Sequence, residues 1–201
     1  MIYRGLYAAV IPLLRVFFRL FFFVRISGVE NVPQTGGFIV SGNHKSNYDP
    51  LLVAAFLTRK VRFLAKRELF KFKPFGMILE GVGVVPITRG GSEIGTLKTV
   101  LSLIKEDNVF IVFPEGTRKK VDINDVKSGA VMFAIKGKVP ILPVYIDGKY
   151  RLFGKTKLIF GEPIYYDEYY NVKLSQENMH DHAVELINKI YSMAEVPSDE
   201  N

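Results

Sequence analysis

An α/β fold, with helices covering a central sheet, is what this sequence predicts, and two patterns predict it. Short apolar runs rich in β-branched and aromatic residues recur at Phe38 to Val40, Val61 to Leu64, Val82 to Ile87, Val109 to Phe113, Ile141 to Ile146 and Leu158 to Phe160; such runs read as buried strands. Helical patterns separate most of them, over Leu51 to Leu57, Phe75 to Glu80, Ile94 to Lys105, Val126 to Lys136 and Gln176 to Met193, and this alternation is how α/β sheets are built. At 201 residues the chain has the length of a single domain, and its 48% hydrophobic and 23% charged residues exclude a disordered or collagen-like chain.

In chain order, the first element is the stretch from Leu6 to Val24, LYAAVIPLLRVFFRLFFFV. It has the length of a membrane span but carries Arg15 and Arg19 in its middle, each penalised by about 2.5–3.5 kcal/mol at a bilayer centre. At about 100° per residue, Arg4, Arg15 and Arg19 share a narrow arc, while Leu6, Val10, Leu13, Phe17, Leu20 and Val24 gather opposite. An arginine face opposite a Leu/Phe face predicts a helix lying in a membrane interface, with Arg4, Arg15, Phe17, Arg19, Leu20 and Val24 as its membrane-binding residues. The alternative is an amphipathic helix packed on the domain's own core; in either case Pro12 should kink it. No small-residue cleavage site follows, which disfavours a secretory signal. The organisation expected is an amphipathic anchor over 1–26, the folded domain over 27–194 beginning in the Gly/Pro/Asn-rich loop 27–37, and a flexible polar tail over 195–201.

The net charge of +7 favours an anionic partner. The basic run Arg59, Lys60, Arg62, Lys66, Arg67, Lys71, Lys73, opposed only by Glu68, would attract anionic headgroups by about 1 kcal/mol per residue near a membrane surface. A nucleic-acid partner fits the charge, but the chain shows no recognisable nucleic-acid-binding module, so none is expected. Cys is absent, which excludes disulfides, a thiolate nucleophile and Cys-based metal sites. His180 and His182 read as a solvated helix start rather than a ligand pair, so no metal is expected.

Two blocks follow apolar strands and carry chemistry. The first is Asn43-His44-Lys45-Ser46-Asn47-Tyr48-Asp49-Pro50. His44 can take a proton from a hydroxyl, and a carboxylate on its other ring nitrogen would fix its tautomer; Asp49 can supply that carboxylate. Asp before Pro at the start of an apolar run is equally a good helix N-cap. The second block is Phe113-Pro114-Glu115-Gly116-Thr117-Arg118, where an arginine presented at a turn suits a phosphate; an exposed Arg118–Glu115 pair is the alternative. Two further blocks are Gly83-Val84-Val85-Pro86-Ile87-Thr88-Arg89 and Val139-Pro140-Ile141-Leu142-Pro143-Val144.

In this order and spacing the four blocks resemble the sequence motifs of the glycerolipid acyltransferases, most closely the lysophosphatidic acid (1-acyl-sn-glycerol-3-phosphate) acyltransferases, over about Phe38 to Val144. The resemblance implies a central mixed sheet covered by helices and transfer of a fatty acyl group from acyl-CoA or acyl carrier protein to lysophosphatidic acid, giving phosphatidic acid. It makes His44 the general base and Asp49 its orienting acid within an NHxSxxD motif, with Asn43 and Ser46 in supporting positions. Arg118, Arg89 and Lys66 inherit phosphate contacts, and Glu115, Gly116, Thr117 and Lys127 substrate-binding or supporting roles. Val85-Pro86 departs from the bulkier apolar pair common in the second motif, which bears on acceptor specificity and leaves another lysolipid or glycerol 3-phosphate as the alternative acceptor. The acyl donor is a co-substrate and no bound cofactor is implied; the expected location is the cytoplasmic face of a membrane. A hydrolase using Ser46 is disfavoured because there is no Gly-x-Ser-x-Gly elbow, and a non-catalytic lipid-binding protein is disfavoured by the intact His44/Asp49 pair.

Overall fold

The structure is a computed structural model that describes residues 2–87, 93–115, 125–148 and 150–195. In chain order its elements are α1 (Ile2–Phe22), β1 (Val24–Ser27), β2 (Phe38–Gly42), α2 (Asp49–Phe56), β3 (Val61–Lys66), α3 (Lys73–Gly81), β4 (Val84–Ile87), α4 (Glu93–Ile104), β5 (Val109–Ile111), α5 (Gly129–Gly137), β6 (Ile141–Asp147), β7 (Thr156–Phe160) and α6 (Gln176–Ser192). Among the described residues the strands form one sheet in the order β1-β7-β6-β2-β5-β3-β4. Five of its pairings are parallel, whereas β6 and β7 pair antiparallel, so the sheet is mixed. The connection from β6 to β7 has no room for a crossover helix.

Strand periodicity divides the core into two. Ile39, Phe110, Ile141 and Tyr145 point to the side closed by α4, α5 and α6. Their neighbours Phe38, Val40, Val109, Ile111, Leu142 and Val144 point to the side covered by α1 and α2. All five residues of β2 are buried, as befits a strand covered on both faces.

The N-terminal region differs from expectation in two respects. Residues 24–26, read as the end of the anchor, and Ser27, read as the start of the loop, form β1, paired in parallel with β7 from Val24↔Thr156 to Ser27↔Ile159. The expected boundary at residue 26 therefore falls inside a strand, and Val24 packs on the core rather than continuing a membrane-facing stripe. Phe23, at φ 38°, breaks the helix and turns the chain into the sheet. The period-two pattern of Val-Arg-Ile-Ser is too short to stand out behind four consecutive apolar residues, Leu20 to Phe23.

The second difference concerns the arginines. Arg15 donates from Nε to the carbonyl of Ala55 at 2.8 Å, near the end of α2, where helix carbonyls lack intrahelical partners. The Arg19 guanidinium lies 5.7 Å over the Phe56 ring. Arg15 and Arg19 thus run along the seam with α2 while remaining partly open to solvent. Tyr7, Phe18 and Phe22 face the core, and the opposite side of α1 leaves Leu13 70%, Val16 55% and Leu20 59% exposed. Helix α1 therefore packs on the domain and also presents an uncovered apolar face. It runs continuously through Pro12, and its residues 5–22, with mean hydropathy 1.7, are long and apolar enough to cross a membrane by length and composition.

Candidate active site

The site grows from the C-terminal end of β2, the central strand between β5 and β6, where open α/β sheets place their ligands. Asn43, fully buried, extends the ladder with its side chain: Nδ2 donates to the Ile146 carbonyl at 2.9 Å, and Oδ1 accepts from Ile146 N–H at 2.7 Å. This two-point lock on β6 fixes where the next residue, His44, leaves the sheet.

The turn that follows is organised around Asp49, which is completely buried. Its Oδ2 accepts from the backbone N–H groups of Lys45 at 2.6 Å and Ser46 at 2.7 Å and lies 2.9 Å from His44 Nδ1. Its Oδ1 accepts from the Tyr150 hydroxyl at 2.6 Å. Asp49 is the first residue of α2, followed by Pro50, yet its side chain reaches back to the preceding turn instead of capping the helix. Four donors therefore converge on this one buried carboxyl at the start of α2.

Because a carboxylate only accepts, the contact with Asp49 places the His44 proton on Nδ1 and leaves the Nε2 lone pair available. The imidazole stacks on Phe113 with centroids 4.2 Å apart and planes 17° from parallel, and 17% of the side chain remains accessible. Phe113 thus joins the two sequence blocks physically. Ser46 Oγ accepts from Tyr48 N–H at 3.2 Å, a turn contact that gives it a supporting place.

Glu115 is buried and accepts from the Tyr191 hydroxyl at 2.8 Å, tying the second block to α6. The Pro114 carbonyl accepts from Lys127 N–H at 2.7 Å, which brings Lys127 to this edge just ahead of α5. Register places Lys66 on the same edge. Val40 pairs with Ile111, Ile111 with Phe63, and Phe63 with Val84. Lys66 ends β3, three residues beyond Phe63, and Asn43 stands three residues beyond Val40, just past the end of β2, so both leave the same edge of the sheet. Arg89, Gly116, Thr117 and Arg118 lie outside the described residues, as does the side chain of Arg4.

Sequence reasoning missed Tyr150, Tyr191, Phe113 and Lys45. Burial, the Asp49 charge and the hydrogen bond to it push the Tyr150 phenol far above its ordinary value. Burial and Glu115 do the same for Tyr191. Both therefore remain hydrogen-bond donors at neutral pH. Lys45 directs its ammonium to the face of Tyr145, 5.4 Å from the centroid, beside the Glu115–Tyr191 pair. Only Phe113 and Lys45 sat inside blocks singled out from the sequence.

A buried carboxylate, an oriented imidazole with a free basic nitrogen and a basic sheet edge make a site able to deprotonate a hydroxyl next to an anionic group. The chain belongs to the Acyltransferase family, whose model matches residues 23–147, and is an enzyme of acyl transfer. It is 34% identical over 148 residues to the 1-acyl-sn-glycerol-3-phosphate acyltransferase of Bacillus subtilis (strain 168), covering 71% of this chain and 74% of that protein. It is 33% identical over 143 residues to the protein of the same name from Streptococcus pneumoniae, covering 67% of this chain and 53% of that one. The crystal structure of the 1-acyl-sn-glycerophosphate (LPA) acyltransferase PlsC from Thermotoga maritima superimposes with a TM-score of 0.69 at 28% identity, covering 96% of this chain and 83% of that one.

Proposed function

We propose that the chain transfers a fatty acyl group from a thioester donor to the sn-2 hydroxyl of 1-acyl-sn-glycerol-3-phosphate, releasing phosphatidic acid and a free thiol. The observation that carries the reading is the His44 Nδ1 contact with buried Asp49, which leaves Nε2 as the base. His44 Nε2 takes the hydroxyl proton as the oxygen attacks the thioester carbonyl, and Asp49 stabilises the imidazolium that forms. Collapse of the tetrahedral adduct breaks the C–S bond, and the imidazolium returns its proton to the departing sulfur. No acyl-enzyme is needed, and Ser46, engaged in the turn, acts as support.

Lys66, with Arg89 and Arg118, holds the acceptor phosphate and turns a bimolecular encounter into an oriented one. Lys127 and the buried Glu115 shape the same edge. The thioester, on coenzyme A or acyl carrier protein, carries its own activation, so the reaction calls for no resident cofactor. Acceptor and product are lipids, and the uncovered face of α1 supports an enzyme that works at the surface of an anionic membrane, receiving its donor from the cytoplasmic side.

The test is thiol release from a long-chain acyl-CoA, with and without lysophosphatidic acid, for wild type and His44→Ala. Acceptor-dependent release that yields phosphatidic acid and falls by at least about 10²-fold in the variant is expected for a general base. Equal rates in the two proteins would refute the assignment.

A further inference from the structure

We infer that residues 150–155, between β6 and β7, form a second membrane-docking element that inserts Leu152 and Phe153 into an anionic bilayer beside α1. The inference goes beyond the proposed reaction and rests on the interfacial reading of α1.

Three observations carry it. Leu152 and Phe153 are 57% and 61% exposed. A single exposed apolar residue needs no explanation, but a contiguous apolar patch does. This pair continues the bare face of α1: the Phe153 ring lies 6.1 Å from Phe21 and 6.3 Å from Phe23, and Phe17 lies 5.2 Å from Phe21. Secondly, the loop is fastened in this place. Phe153 N–H donates to the Phe21 carbonyl at 2.7 Å, satisfying one of the unpaired carbonyls at the end of α1. Just ahead of it, a Cβ on Gly148 would lie 2.6 Å from Thr156 Oγ1, so the chain passes there only as glycine. Tyr150 and Phe153 both take left-handed backbone conformations, at φ 46° and 61°, which are uncommon for bulky aromatic residues.

Charge complementarity identifies the occupant. Residues 148–158 contain Lys149, Arg151, Lys155 and Lys157 and no acidic residue, and no acidic residue precedes Glu30 at the N-terminus. Arg151 and Lys155 flank the apolar pair and are exposed. Apolar side chains fringed by cations on one surface match acyl chains beneath anionic headgroups. The same loop places Tyr150 on Asp49, so the bilayer would meet the protein at the mouth of the site, next to the pair that handles the proton.

The chain contains no tryptophan, so Phe153→Trp in the full-length protein reports on this loop alone, and Leu152→Trp is the second reporter should the first disturb the left-handed backbone. On adding vesicles of phosphatidylglycerol and phosphatidylcholine, the emission of each should move to shorter wavelength and be quenched by lipids brominated on the acyl chain. The double variant Leu152→Ser, Phe153→Ser should partition to those vesicles at least about tenfold less well, as expected for removing two buried apolar side chains. Emission that stays at its aqueous wavelength while the protein co-sediments with vesicles would overturn the loop's role and leave both the acyltransferase reading and the α1 contact standing. A shift produced by an acidic carrier protein, or by raising the protein concentration without lipid, would overturn the bilayer as occupant. A protein that binds no vesicles at all would overturn both this inference and the interfacial reading of α1.

Discussion

The two faces of the sheet are covered by helices of opposite character. Helices α4, α5 and α6 seal one face: α6 buries Met179, Ala183, Leu186, Ile187 and Ile190 and turns polar residues outward. Helices α1, α2 and α3 cover the other face, yet around them Leu13, Val16, Leu20, Leu51, Phe72, Met77 and Ile78 remain exposed. Beyond α1–α3, the segments flanking them and the β6–β7 loop, the large exposed apolar side chains among the described residues are Ile94, Tyr165, Val172 and Tyr191. The difference teaches that one face is finished by water and the other is built for a second apolar phase. The His44–Asp49 turn carries the proposed chemistry, with Asp49 buried and His44 partly accessible.

The largest effect expected is at Asp49, because it is buried and accepts from four donors. Asp49→Asn keeps the volume but presents an amide to groups that need an acceptor. It should lower kcat by roughly 10³–10⁴-fold, as when the orienting acid of a His dyad is neutralised, and destabilise the fold by about 1–3 kcal/mol for unsatisfied buried donors. Steady-state thiol release and urea unfolding check the two halves. A variant with full stability but no activity would mean that the turn tolerates the amide and that only the imidazole's orientation has been lost.

Leucine-to-alanine changes on the two faces test the comparison directly. Leu186, 1% exposed on α6, should cost about 2–5 kcal/mol on becoming alanine and leave vesicle binding unchanged. Leu20→Ala should alter stability by no more than about 0.5 kcal/mol but lower vesicle partition about tenfold, from the apolar surface removed. Similar stability losses for both would show that the outer face of α1 is covered in solution, and the contrast would fail.

How much of this was legible in the sequence follows from the range of the interactions. Strands β2, β5 and β6 were visible because burial on both faces leaves apolar runs in them, and β3, β4 and β7 because short apolar, β-branched clusters survive in them although they are only partly covered. Strand β1 was hidden behind the apolar end of α1, and the arginines of α1 read as headgroup contacts because α2 cannot be placed beside them from periodicity alone. Within the site, the His44–Asp49 contact spans five residues and was open to local reasoning. Tyr150 and Tyr191 reach Asp49 and Glu115 across 101 and 76 residues, and no spacing rule points to them. The β6–β7 loop carried a signal that went unused: an apolar pair between basic residues at a turn.

Tyr150→Phe should have an intermediate effect. It removes a charge-assisted hydrogen bond to a buried carboxylate, expected to cost about 1.5–3 kcal/mol of stability, and a loss in kcat of about tenfold would correspond to about 1.4 kcal/mol of transition-state stabilisation. The pH dependence has a definite sign. Burial first, then the Asp49 charge, raise the phenol's folded value above its unfolded one, so its contribution is complete below the unfolded value near 10 and is lost as pH rises through the folded value. The stability difference between wild type and Tyr150→Phe should therefore be equal at about pH 6 and about pH 9. Above about pH 10, where the unfolded phenol ionises and the folded one does not, the difference should shrink by roughly 1.4 kcal/mol per pH unit; a difference that stays constant there would mean that Tyr150 ionises in the folded protein at its ordinary value and that Asp49 does not hold the proton on it.

The smallest effect is expected for Tyr191→Phe, and it probes where the sealed face meets the site. Tyr191 donates to Glu115 at 2.8 Å but is itself 43% exposed, so water can take the place of the lost hydroxyl. The stability cost should fall near the low end for a hydrogen bond, about 0.5–1 kcal/mol. Glu115 follows Pro114, whose carbonyl holds Lys127 N–H at the same edge of the sheet where β3 ends in Lys66, so a carboxylate released from Tyr191 could swing toward the proposed acceptor phosphate and repel it. KM for lysophosphatidic acid should then rise a few-fold with kcat nearly constant, the pattern of lost uniform binding. Rescue of that KM by the further change Glu115→Gln, which keeps the shape and removes the charge, would show that Tyr191 acts by holding Glu115 away from the substrate. If KM stays at its wild-type value, α6 takes no part in the site and the tie to Glu115 is a fold contact alone.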